Sequence, residues 1–154
     1  MGASGWSYVA PYHGDVAAAL RELQERVFRD RDYHWWDEFG DYEPAPATIE
    51  ELWARESGWN SGTHSILDIR EGIATDPEFW PEYRVWALAP DTVEALFGTA
   101  RPSRAAFEAL ALDHGNPRRD ELWGAVLERW TGRYVLLYEG DTPAEVGFWG
   151  FSGD

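Results

Sequence analysis

The sequence predicts an α+β fold: a single domain over residues 1–154, with about five mostly antiparallel strands and four to five helices packed on the sheet. Three observations lead there. Segments that alternate with a period of two are interleaved with segments at helical spacing. Residues 133–139 and 144–151 flank Gly140-Asp141-Thr142-Pro143 as a hairpin. The chain has 154 residues, 44% of them hydrophobic and 27% charged, which suits one core, and no shift of composition marks a second domain.

The elements follow in order. Trp6, Tyr8, Ala10 and Tyr12 share one face of a strand, with Ser7, Val9 and Pro11 on the other. Pro11 marks an edge strand or the end of one. Asp15 is placed to cap a helix over 15–29, whose inward stripe is Val16, Leu20, Leu23 and Val27. An acidic and aromatic loop begins at Asp30 and is closed by Pro44 and Pro46. Thr48-Ile49-Glu50-Glu51 is a capping box for a short helix. Strands are predicted at 63–69 and 83–88, separated by an irregular stretch containing Pro77 and Pro81. Asp91-Thr92-Val93-Glu94 forms a second capping box, and Gly98 ends the helix that it opens. Further helices are expected over 103–112 and 119–130. In the closing hairpin, Tyr134, Leu136 and Tyr138 share one face and Val135 and Leu137 the other, so both faces need cover.

Charge narrows the function classes. With 28 acids and 13 bases the net charge is −15, and every base is arginine. Nucleic acid and anionic membrane call for a basic footprint and are not expected partners. A basic protein is, although the same charge also serves solubility. The absence of cysteine removes disulfides and thiolate chemistry. No apolar run approaches the ~18–20 residues of a membrane span, and the first residues lack the pattern of a signal peptide, so a cytoplasmic location is expected. His13, His34, His64 and His114 show no metal-ligand spacing, and the chain has no phosphate-binding glycine loop or nucleophile elbow. No metal or cofactor is expected, and whether the protein is an enzyme stays open.

Two candidate sites emerge. Residues 30–60 hold nine acids and two bases, a net of −7. Aromatic rings are interleaved with these charges. Tyr33, Trp35, Trp36 and Tyr42 suit interface anchors, and Asp32, Asp37, Glu38, Asp41 and Glu43 suit steering of a basic partner. The plainer reading is that the rings tuck back onto the core. The second candidate is a cleft lined by tryptophan, of which the chain has ten. On a strand, His64, Ile66 and Asp68 would share a face, with the His and Asp ~13 Å apart and too distant to form a dyad. With Trp59 and Trp80 they could line the site of a small enzyme or ligand-binding protein, or they could simply be polar groups at a strand end.

Three segments carry a resemblance: Gly5-Trp6-Ser7-Tyr8-Val9-Ala10-Pro11-Tyr12, Gly62-Thr63-His64-Ser65-Ile66-Leu67-Asp68-Ile69 and Phe148-Trp149-Gly150-Phe151-Ser152-Gly153-Asp154. Together they look like a family of small bacterial proteins to which no activity is attached. In size and charge the chain is also similar to acidic immunity proteins, which neutralise toxic partners. That likeness implies an immunity or antitoxin-like binding module.

Overall fold

The computed structural model describes residues 3–35, 44–55, 62–75 and 82–153. The hairpin forms the middle of the sheet. β4 (Thr131–Glu139) and β5 (Thr142–Phe151) pair antiparallel from Thr131↔Phe151 to Glu139↔Thr142. Gly140 makes the turn at φ 59°, a left-handed conformation that costs glycine nothing, so two residues suffice for the connection. β1 (Gly5–Pro11) pairs antiparallel with the far side of β5. β3 (Arg84–Ala87) lies parallel to β4, and β2 (Gly72–Ile73) parallel to β3. The order is β1-β5-β4-β3-β2, a mixed sheet whose long strands are antiparallel and whose short ones are parallel. Pro11 closes an edge strand, as its lack of an N–H requires.

Among the described residues five helices complete the α+β fold: α1 (Val16–Asp30), α2 (Ile49–Ala54), α3 (Pro90–Phe97), α4 (Arg104–Ala111) and α5 (Arg119–Trp123). Among the described residues no helix is long and apolar enough to cross a membrane. Asp15 caps α1 by accepting from the Ala17 N–H at 3.0 Å. Thr48 caps α2 by accepting from the Glu51 N–H at 3.1 Å, and Glu51 reaches back to the N–H of Ala47 at 2.8 Å. The box therefore closes one residue earlier than its reciprocal form.

Both faces of the sheet are covered. Under one face Trp6, Ala10, Val85, Val146 and Phe148 meet Leu20, Leu23 and Val27 of α1, with Leu52 and Ile66. Under the other, Val135, Leu137 and Trp149 meet Val93 and Leu96 of α3, Phe107 and Leu110 of α4, and Leu122 of α5. Helical and strand periodicities thus feed two cores on either side of one sheet.

Four expectations are corrected. Residues 63–69 are not a strand: His64 takes φ 53°, and Ser65 then caps a 3-10 turn at Ile66–Asp68 through the Leu67 N–H at 3.2 Å. Ile66, Leu67 and Ile69, all buried, imitate the apolar content of a strand. The fifth strand is Gly72–Ile73, too short to announce itself by alternation. The second capping box does not form, because Pro90 starts α3 one position before Asp91 and fixes the first-turn geometry itself. α5 stops at Trp123, although Val126 remains buried beyond it.

The sheet closes on glycines. A Cβ at Gly150 would stand 2.3 Å from the Trp6 ring and 2.5 Å from the Thr131 carbonyl oxygen. A Gly150→Ala variant is expected to lose about 1–3 kcal/mol of unfolding free energy by overpacking, read from the urea midpoint.

Candidate functional site

α1 ends where Arg31 turns into the left-handed region at φ 54°, and its N–H closes on the carbonyl of Phe28 at 3.2 Å. The acidic segment starts from this turn. Asp32 is exposed. Tyr33 stacks on Phe28, with centroids 5.7 Å apart and rings 10° from parallel. The His34 N–H donates to the Thr63 carbonyl at 2.8 Å, and its ring lies 4.7 Å from that of His64. Trp35 is half-buried against the first core, with the Arg55 guanidinium 5.2 Å above its ring. The two candidate sites read separately from the sequence are therefore neighbours. Tyr33 and Trp35 both pack inward, as the plainer reading expects. Trp36, Asp37, Glu38, Asp41, Tyr42 and Glu43 lie outside the described residues, as do Trp59 and Trp80.

The segment from Gly62 to Arg70 is organised around Asp68. The left-handed residue at His64 and the 3-10 turn fold this carboxylate back over its own chain, so His64, Ile66 and Asp68 do not share a strand face. Asp68 is 1% exposed. Its Oδ1 accepts from the Thr63 N–H at 2.7 Å and from Thr63 Oγ1 at 2.9 Å. Its Oδ2 accepts from Ser152 Oγ at 2.5 Å. Ser65 Oγ lies 2.8 Å from Thr63 Oγ1 and extends the network. Gly62 permits it, since a Cβ there would stand 2.8 Å from Asp68 Oδ2. Two further bonds fasten the loop to helices: Gln24 of α1 donates to the Ile69 carbonyl at 2.5 Å, and Trp53 of α2 donates to that of Leu67 at 2.8 Å.

The electrostatics follow from burial. Desolvation raises the pKa of Asp68 above the usual carboxylate value, against hydrogen bonds from Ser152 and Thr63 and the nearby His64. The Tyr8 phenol is pushed well above its ordinary value, first by burial and then by Asp32 and Asp68, against Arg26 and a hydrogen bond with Ser65. Burial lowers the pKa of Arg70, and Tyr83, Glu71 and Asp68 oppose that shift. The Arg70 guanidinium stacks 3.9 Å from the Tyr83 ring centroid.

A carboxylate with both oxygens engaged and no access to solvent holds structure; it is not placed to take a proton from a substrate. Among the described residues, no three His, Asp or Glu side chains are grouped to hold a metal ion. Sequence reasoning missed Thr63 and Ser152 as hydrogen-bond partners of Asp68, and Ser65 and Tyr8 as their neighbours. The short hydroxyl side chains beside it were the available signal, but their pairing needs the tertiary fold. No family model, curated protein or solved structure matches the chain.

Asp68→Ala strands three buried donors and is expected to cost about 3 kcal/mol, whereas Asp68→Asn keeps the shape and should cost under about 1 kcal/mol at neutral pH. The folded pKa of Asp68 lies above its unfolded value, so the folded state binds the proton more tightly. Its contribution to stability is full below the unfolded pKa of about 3.9 and declines as pH rises through the raised folded value. Denaturant titrations from acid to neutral pH should show the wild type losing stability relative to Asp68→Asn over that window. A constant difference would refute the assignment.

Proposed function

We propose that this protein is a binding module for a basic protein, immunity or antitoxin-like in kind, which docks its partner through the acidic and aromatic segment that begins at Asp32. The observation that carries the reading is the segregation of charge: residues 30–60 hold a net of −7 out of −15. Every acid of that stretch among the described residues, Asp30, Asp32, Glu50 and Glu51, is exposed. Clustered exposed carboxylates raise the encounter rate with a cationic surface. The segment also starts from a firm base, because Phe28, Tyr33, His34 and Thr63 fix the chain as it leaves α1.

The alternative is a small enzyme or ligand-binding protein built around His64 and Asp68. It would have to work without the Asp68 carboxylate, whose oxygens are occupied by Thr63 and Ser152.

The test combines charge reversal with an aromatic truncation. A basic protein captured from lysate at low salt should associate with the variant D32R/D37R/E38R about tenfold more slowly or worse, with a flattened salt dependence. Trp36→Ala should mainly speed dissociation. Trp35 is left intact because it packs on the core. Unchanged association kinetics in the charge-reversed protein would sink the proposal.

A further inference from the structure

Among the described residues β1 has β5 on one side and no strand on the other. The bonds Ser152 N–H to Ser4 carbonyl and Tyr12 N–H to Ala144 carbonyl, both 2.9 Å, bracket the ladder and set its parity. Even-numbered residues of β1 exchange hydrogen bonds with β5, so Gly5, Ser7, Val9 and Pro11 aim their backbone groups away from the sheet. Among the described residues one of these outward groups is engaged: the Val9 carbonyl accepts from Arg26 Nη2 at 3.2 Å. The N–H groups of Ser7 and Val9 are left at the two-residue spacing of a strand, about 6.8 Å.

A groove of about 350 Å³ runs along this edge. Ser7, Val9 and Pro11 line it, with Arg26 from α1 and with Arg104, Phe107 and Glu108 from α4. Leu112, 57% exposed, is also part of the lining. Arg104 holds Glu108 at 2.8 Å and Glu145 at 2.9 Å along the wall. Tyr8 also lines the groove. Strand edges are commonly guarded by charged side chains; Gly5–Pro11 contains none, and Arg26 of α1 engages the edge at the Val9 carbonyl.

We infer that the β1 edge is a docking site for an extended, basic segment of a partner protein, which adds to the sheet as a sixth strand. The unpaired backbone groups select an extended main chain. The lining itself is balanced, Arg26 and Arg104 against Glu108 and Glu145, so the whole chain sets the sign: at −15 it attracts a cationic segment and repels a second copy of itself. The inference does not rest on the reading of the acidic segment, because the groups that bind are the backbone of β1.

The probe is a capped heptapeptide of alternating arginine and valine, with the same peptide carrying glutamate for arginine as control. Amide exchange in the full chain is followed by NMR. Saturating arginine peptide should slow exchange at Ser7 and Val9 by about tenfold or more and leave Trp6 and Tyr8, already in the ladder, unchanged. Ser7→Pro removes an outward N–H without touching the β1–β5 ladder and should weaken the peptide about tenfold. D32R/D37R/E38R should keep the protection at Ser7 and Val9, which separates this site from the acidic segment. The inference is overturned if Ser7 and Val9 exchange at the same rate with and without peptide. Equal binding by Ser7→Pro or by the glutamate peptide overturns it too. Protection that appears without peptide, through self-association, would assign the edge to a second copy instead.

Discussion

β4 and β5 carry apolar side chains on both faces, and the need to cover both arranges nearly everything else. One face takes α1, α2 and the 3-10 turn; the other takes α3, α4 and α5. Phe148 and Trp149 are adjacent in sequence and fully buried in opposite cores. Each such residue contributes on the order of 1.5–3 kcal/mol by leaving water, so neither layer is dispensable. Close approach is bought with glycine: Phe107 lies 3.0 Å from where a Cβ of Gly147 would be, and Trp6 closer still to that of Gly150.

The Asp68 network solves a different problem. The loop between Gly62 and Arg70 must return to the sheet without a ladder of its own to bond. A buried carboxylate satisfies the Thr63 N–H and two hydroxyls at once, and one of those hydroxyls belongs to Ser152 just past β5. Such a charge is costly to bury, but it fixes one arrangement of loop and strand end that an apolar residue of the same size would leave loose. The left-handed residues His64, Tyr83 and Trp130 belong to this region, and Tyr83 bonds Trp130 at 2.6 Å through the backbone. Local strain is retained where surrounding contacts over-determine the chain.

The parts of this fold legible in the sequence are those set by local rules. The hairpin, the Asp15 and Thr48 caps, α4 and the edge position of β1 each depend on a turn residue, a cap or a proline within a few positions. What escaped depends on distant partners. Residues 63–69 have strand-like composition, but the clamp from Asp68 to Ser152, 84 positions away, decides their path. The two residues of β2 pair only because β3 is there to receive them. Of the candidate site, Asp32, read from the sequence as a steering charge, is exposed, and whether Tyr33 and Trp35 anchor a partner or tuck back onto the core was left open. The meeting of His34 with His64 carries no local signature at all.

The pairing of the first strand with the last has a consequence for how the chain matures. Gly5 finds its neighbour only when Phe151 has been made. During synthesis, residues 5–11 must wait until residues 145–151 have been made before their hydrogen bonds can be met, while α1 can coil as soon as it is complete. Contacts of such long sequence separation form late and slowly. The nascent protein thus carries a strand of uncharged residues, ready to pair, until β5 emerges. This is the kind of surface that chaperones hold or that aggregates with its own kind.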